Sequence, residues 1–363
     1  MLIYACISGH GYGHGSRVAS VLSALHRLQP QWRLVLSTPL PSAFLRLAFG
    51  PVPFEHRPCR WDVGVLQADA LGSDPDATLA ALEGLEQQLP AQIAAECAWL
   101  RQQRQPLLLL ADVPPAAAAL AQAVGAPLVF MGNFGWDAIY GPMGPRFEPW
   151  ASAAAAAYRQ GVALIACPFA MAMPWGLPTT AVGLTPGRPR ETATALAQRL
   201  GLHHPRERTV LVGFGGMGLQ VAGPLFAAWP QHRFVVSDPS LDCGGANVIR
   251  LPGDLRPLEL LPLCGRVITK PGYSTFCEAM AAGVGLQVVH REGFAEAPVL
   301  EAALRRHSWH RLISREQLLQ GDWRLDQPLL PPSEAPLADG GDQRAAQVLQ
   351  AVAKDVWGPS CQG

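Results

Sequence analysis

The chain has 363 residues, 49% of them hydrophobic and 15% charged, which is long for one ordinary core and comfortable for two. Its 28 Lys plus Arg balance its 28 Asp plus Glu, so electrostatics gives no support to a nucleic-acid partner, and no basic stripe marks a membrane surface. Eight cysteines at irregular spacing form no CxxC pair, which argues against a zinc site and a redox dithiol.

In chain order, the opening MLIYACIS has no positive flank or cleavage signal and reads as a buried strand over Leu2–Ser8. Val18, Val21, Leu22, Leu25 and Leu28 then trace one face of a helix over Ser16–Leu28. Arg33–Ser37, Leu107–Ala111 and Pro127–Met131 are further strands, with an Ala-rich helix between the last two. Prolines 174, 178, 186 and 189 break the stretch Ala170–Pro189, which reads as a linker. Beyond it the pattern restarts. Strands are expected at Thr209–Gly213, Arg233–Ser237, Val248–Leu251, Val267–Thr269 and Leu286–His290, and helices at Leu219–Trp229, Thr275–Ala282 and Ala295–Arg306. Gln343–Val356 closes the chain as a helix able to pack across the domains. Strands alternating with helices twice over predict an α/β protein with an N-terminal Rossmann-like domain at 1–170, a second at 190–342 and a tail at 343–363. Ligands of such sheets bind at the carboxyl ends of the strands, which places the chemistry in a cleft between the domains. No apolar run is long enough to span a bilayer, so the expectation is a cytoplasmic protein; peripheral membrane contact stays open and the oligomeric state is not specified.

Three segments carry chemistry. In the first, Ser8–Arg17 (SGHGYGHGSR), glycines at 9, 11, 13 and 15 let the backbone approach a ligand, and a helix start follows. His14 could act there as a general base on a hydroxyl, or simply cap a helix; His10 and His14 could share a metal, but no third ligand is evident. In the second, Gly213–Gly218 matches GxGxxG, with Asp238 at the end of the next strand. Alone, that is a dinucleotide fingerprint, which makes an oxidoreductase the competing function. In the third, Lys270–Glu278 (KPGYSTFCE), Gly272 permits a turn that presents Ser274 and Thr275 at a helix start suited to a diphosphate. Glu278 could accept from both hydroxyls of a ribose, or close a capping box with Thr275; spacing does not separate the two. Asp74-Pro-Asp76 resembles a metal-binding DxD, yet its loop position before a helix suits a cap.

The stretch from Gly272 to Leu304 resembles the donor-binding half of GT-B glycosyltransferases. The likeness extends to the glycosyltransferase-like N-terminal region of plant L-arabinokinases and their bacterial relatives. It is carried by GHGYGHGSR at Gly9–Arg17, VLQADAL at Val65–Leu71, ADVPP at Ala111–Pro115, GNFGWDAIY at Gly132–Tyr140 and KPGYSTFCEAM at Lys270–Met280. The sugar-kinase half of the plant proteins has no counterpart here, so no kinase activity is implied. The resemblance implies an inverting transfer from a nucleotide sugar, preferably a UDP-sugar, to a small-molecule or lipid acceptor, with no metal and no resident cofactor. The donor would meet Gly215, Gly216, Lys270, Gly272, Tyr273, Ser274, Thr275, Glu278 and Glu296. His14 would be the base with Asp112 its rival, and the acceptor would meet His10, Gly11, Gly13, Asn133, Trp136 and Asp137. A nucleotide-sugar epimerase and a non-catalytic nucleotide-sugar-binding module are the remaining readings on the same fold.

Overall fold

A computed structural model of the chain describes residues 1–66, 72–215, 223–238, 244–291 and 293–358. The chain divides into two compact units, with Met1–Leu66, Asp74–Thr185 and the segment from Asp339 in the first and Pro186–Ala338 in the second.

The first unit runs β1 (Leu2–Ile7), α1 (Tyr12–Leu28), β2 (Arg33–Ser37), α2 (Ser42–Phe49), β3 (Glu55–Arg57), α3 (Pro75–Gln102), β4 (Leu107–Asp112), α4 (Ala117–Val124), β5 (Leu128–Gly132), α5 (Trp136–Tyr140), α6 (Glu148–Tyr158), β6 (Ala163–Ala166) and β7 (Thr179–Ala181). Its sheet is parallel in the order β3-β2-β1-β4-β5-β6-β7. β1 and β4 are continuous apolar runs because helices cover both faces of a parallel sheet. The expected linker contains β7, an edge strand: prolines 174 and 178 precede it and 186 follows it, so none occupies a ladder position.

The second unit runs α7 (Ala193–Leu200), β8 (Thr209–Val212), α8 (Pro224–Ala227), β9 (Arg233–Val236), β10 (Val248–Arg250), a 3-10 helix (Pro257–Leu263), β11 (Arg266–Thr269), α9 (Tyr273–Ala281), β12 (Gly285–Val289), α10 (Ala297–His307), β13 (His310–Ile313) and α11 (Arg315–Gln320). Its parallel sheet has the order β10-β9-β8-β11-β12-β13. Of the helix expected at Leu219–Trp229, the described part is α8. The apolar stretch before β11 folds as the 3-10 helix, which accommodates Pro257 at its start and Pro262 within it. Phe214, Phe226, Phe234 and Trp323 pack at the centre of this unit's core. The last helix, α12 (Gly341–Trp357), belongs to the first unit and lies against α1.

Each sheet has one point where the chain reverses the direction in which it adds strands. In the first unit β2 and β3 add to one side of β1 and β4 to the other; in the second, β9 and β10 add to one side of β8 and β11 to the other. Loops leaving the two central strands part at such a point and leave a crevice at the carboxyl edge, where open α/β sheets bind ligands. Segments singled out in the sequence leave β1, β4, β8 and β11, the four strands that flank the two reversals, while GNFGWDAIY leaves β5 and residues 67–71 of VLQADAL lie outside the described residues.

Candidate functional sites

In the first unit, α1 begins four residues earlier than its apolar periodicity indicates, with Gly11 as its extended N-cap (φ −180°). His14 is therefore in the first turn, and Gly13 and Gly15 are helical. None of glycines 9, 11, 13 and 15 has a positive φ. Two of them serve close packing instead: a Cβ on Gly9 would lie 2.4 Å from Pro39 Cγ, and one on Gly15 2.6 Å from the Phe44 ring. Gly11 faces open space.

The helix turns His14 toward the end of β4. Its Nδ1 is 2.8 Å from Asp112 Oδ1. A carboxylate only accepts, so Nδ1 carries the hydrogen and Nε2 presents a lone pair. Arg17, one turn further along α1, donates from Nε to Asp112 Oδ2 (2.8 Å) and from Nη2 to Oδ1 (2.6 Å), and from Nη1 to Asn133 Oδ1 (2.8 Å). Asp112, Arg17 and Asn133 are buried. Burial raises the Asp112 carboxyl, but the charge and hydrogen bonds of Arg17 outweigh it and hold the group below the usual carboxylate range. Asp112 and His14 are thus hydrogen-bonded to each other.

The backbone at this strand end is strained. Val113 has φ 67°, a left-handed conformation that a β-branched residue rarely adopts. The Tyr158 hydroxyl donates to its carbonyl at 2.6 Å.

The residues expected to touch an acceptor divide differently. His10 lies over the Trp136 ring at 5.3 Å, accepts from Val65 N–H on Nδ1 and occupies the space a side chain at Gly64 (φ 77°) would take. Trp136 and Asn133 are fully buried. Trp136 stacks on Tyr140 and donates from Nε1 to Asp62 Oδ2 at 2.8 Å. Asp137 accepts from Trp175 Nε1 at 2.9 Å, which makes it a tie between α5 and the segment before β7 rather than a helix cap. Asp62 was not anticipated. It is buried, its carboxyl is raised by that burial against the pull of Ser8, Trp136 and the His14 charge, and only an Asp between Trp61 and Gly64 in an apolar stretch hinted at it.

Asp74 caps α3, accepting from Ala77 N–H at 2.9 Å, and Asp76 pairs with Arg146 at 2.7 Å, so the DxD-like pair is structural. Among the described residues, no group of three or more His, Cys, Asp or Glu side chains gathers as a metal site.

In the second unit, the carboxyl ends of β9, β8, β11 and β12 stand side by side and deliver Asp238, Gly215, Lys270 and Arg291. Gly215 has φ 73°, a left-handed conformation that favours glycine, and a Cβ there would meet Lys270 Cε in ordinary contact at 3.7 Å. Gly216, with the rest of the GxGxxG match, lies outside the described residues. Burial, and Arg291 nearby, lower the Lys270 ammonium to about 8, with Asp238 acting in the opposite sense. Arg291, buried and 4.3 Å over the Phe294 ring, is a second unanticipated residue; burial lowers its guanidinium and Glu296 offsets this. Glu296 itself is buried at the start of α10.

Gly272 is the extended N-cap of α9, so Tyr273, Ser274 and Thr275 fill the first turn, whose N–H groups have no partner within the helix. Tyr273 is buried, while Ser274 and Thr275 are partly exposed. Because the helix begins at Tyr273, Thr275 is not its cap and the capping box with Glu278 does not form. Glu278 lies near Gly187, with Arg256 and Glu259 in its field; burial raises its carboxyl to about 7, and the Arg256 charge opposes this.

Two parallel Rossmann-like units, each with its candidate residues at the strand reversal, constitute the GT-B fold. The fold is similar to that of Phytolacca americana UGT2 complexed with UDP-2fluoro-glucose and pterostilbene, with a TM-score of 0.63 at 14% identity over 99% of this chain and 97% of that one. Medicago truncatula UGT71G1 complexed with UDP-glucose gives a TM-score of 0.57 at 12% identity over 99% and 95%. Among curated proteins, the chain is similar to the L-arabinokinase of Arabidopsis thaliana, 27% identical over 375 residues that cover 96% of this chain and 34% of that protein. The chain thus spans about a third of the length of the curated relative it matches. No protein-family model matches it. Among the described residues no helix is long and apolar enough to cross a membrane.

Proposed function

We propose that the chain is a glycosyltransferase that moves a sugar, with inversion and without a metal, from a nucleoside diphosphate sugar to an acceptor hydroxyl. UDP is the favoured nucleotide, because the solved structures of similar fold include complexes with UDP-glucose and UDP-2fluoro-glucose. The observation that carries the reading is the 2.8 Å pairing of His14 Nδ1 with Asp112 at the first unit's strand reversal, which leaves Nε2 as a base. Nε2 takes the proton of the acceptor hydroxyl as its oxygen attacks the anomeric carbon. The bond from that carbon to the diphosphate oxygen breaks, and the diphosphate leaves with the electron pair. A single displacement inverts the anomeric centre. The proton on His14 then passes to solvent, and Asp112 holds the ring's orientation in the interval. Lys270, Arg291 and the first-turn N–H groups of α9 would take up the leaving charge, and Glu278 would accept from the ribose hydroxyls. The acceptor is a small molecule bound near His10 and Gly11.

The test is a thermal-shift and turnover screen against UDP, GDP, their sugars, NAD and NADP, with and without EDTA. Stabilisation by UDP that survives EDTA is expected, since a ligand of the native state raises Tm by mass action. His14→Ala should keep that binding and lose about 100-fold or more in transfer rate. An unchanged rate would make the chain a binding module. The second reading, an oxidoreductase, rests on the Gly213-x-Gly215 turn after β8 and Asp238 beyond β9; stabilisation by NAD or NADP alone would establish it in place of the transferase.

A further inference from the structure

The pairing of His14 with Asp112 is only part of a larger buried group. Both Asp112 oxygens accept from Arg17, and Arg17 Nη2 also comes within 3.4 Å of His14 Nδ1 itself. A buried carboxylate alone behind an imidazole favours the imidazolium and so ties up the base. A guanidinium in the same contact cancels that pull, leaving Asp112 to orient the ring without charging it. Nothing in the hydrogen-bond geometry of His14 requires Arg17, because Oδ1 would accept from Nδ1 without it. The fork is placed on the carboxylate and anchored by Asn133, itself fully buried. We propose that Arg17 is a positioning residue that sets the base strength of His14 by balancing the charge of Asp112. The inference rests on the reading of His14 as the base. It also assigns a role to the arginine that closes the GHGYGHGSR segment, three residues after the histidine, where both share one face of α1.

The other groups around the ring are accounted for. From the segment after β3, the buried Asp62 is an electrostatic neighbour of the ring, its own carboxyl raised by burial. From the turn after β1, His10 sits over Trp136 rather than over His14, and Phe134 meets the ring edge-on at 6.0 Å without a charge. Asp112 and Arg17 are the charged groups in direct contact with Nδ1.

The experiment is a pH titration of the His14 ring nitrogens by NMR on the full chain labelled with 15N-histidine, the signal assigned with His14→Gln. This readout needs no sugar transfer, so a chain that binds no nucleotide would refute the function while leaving the role of Arg17 measurable. Arg17→Met should move the His14 titration up by about one pH unit or more, because Asp112 then acts unopposed. Arg17→Lys, which keeps the charge, should move it less. Asp112→Asn should move it down, and the double variant Arg17→Met, Asp112→Asn should return to within about half a unit of the wild type. In a chain with transfer activity, the acid limb of the rate profile should follow in the same direction. If Arg17→Met does not fold, the step from Asp112→Asn to the double variant measures the same charge. A titration that Arg17→Met leaves in place, or that this step leaves unmoved, overturns the proposal and makes Arg17 a packing residue.

Discussion

Burial lifts the Glu278 carboxyl to about 7 and drops the Lys270 ammonium to about 8, so the two ends of the proposed donor site respond to pH in opposite senses. A ribose needs the carboxylate and a diphosphate needs the ammonium. UDP affinity should therefore be greatest between about pH 7 and 8, falling below as Glu278 protonates and above as Lys270 deprotonates. Calorimetric titration of UDP across that range checks it: Glu278→Gln should flatten the acid limb only, and Lys270→Met the alkaline limb only. A flat profile in the unaltered protein would place the donor elsewhere. Stability carries the same signature. The folded state holds the Glu278 proton more tightly than the unfolded chain, so this group's contribution is present below about pH 4.5 and lost as pH rises through 7. Glu278→Gln should accordingly raise Tm at pH 8 and leave it unchanged near pH 4. Lys270 and Glu278 drew notice in the sequence because they bracket the Gly272 turn and the helix start that follows a strand. Arg17, Asp62 and Arg291 did not, because an isolated charged residue carries no periodicity and its meaning depends on what the fold brings beside it.

At the scale of the element, the position of a helix start decides between two readings of one motif. Had α9 begun after Thr275, that hydroxyl would have been a cap, and its removal would cost about 1 kcal/mol. With Gly272 as the N-cap, Thr275 is the third residue of the first turn, where its hydroxyl would meet the phosphate of the proposed donor. Thr275→Val should leave urea stability within about 0.5 kcal/mol of the wild type while weakening UDP binding. A large stability loss with unchanged UDP affinity would restore the structural reading. Sequence periodicity found β1, β2, β4, β5 and β8 to β12 to within a residue or so, because buried parallel strands are unbroken apolar runs, and did not find β3, β6, β7 and β13. It placed the starts of α1 and α9 too late, since glycines and small polar residues in a first turn add nothing to an apolar face. Within α3, Pro90 interrupts a helix of 28 residues, and β3 and β7 have three residues each, too few for a pattern. The glycines after β1 were read as letting the backbone approach a ligand, and Gly9 and Gly15 also make room for Pro39 and Phe44.

The chain as a whole leaves its first unit at Pro186 and re-enters it at Asp339. No local pattern shows this, because the apolar face of the last helix does not say which partner covers it. The structure gives the partner as α1, with Arg27 paired to Asp342 at 3.5 Å and Trp357 Nε1 donating to Leu107 O at 3.1 Å. The joint is tightest at Gly341, where the N–H donates to Leu184 O at 2.9 Å and a Cβ would lie 2.0 Å from the Gly183 carbonyl oxygen. That neighbour is backbone and cannot swing aside, so the helix start itself must move. Gly341→Ala should cost about 1–3 kcal/mol of stability, the usual range for overpacking. The loss should also be local in a telling way. Hydrogen exchange should quicken in α1 and β4, both far from Gly341 in sequence, while the amides of β8, β11 and β12 keep their protection. Since α1 carries His14 and Arg17, the proposed transfer activity should fall with it, while UDP affinity, proposed for the second unit, is retained. Exchange that quickens only within α12 would mean the last helix is an appendage, and that the first unit holds its histidine without it.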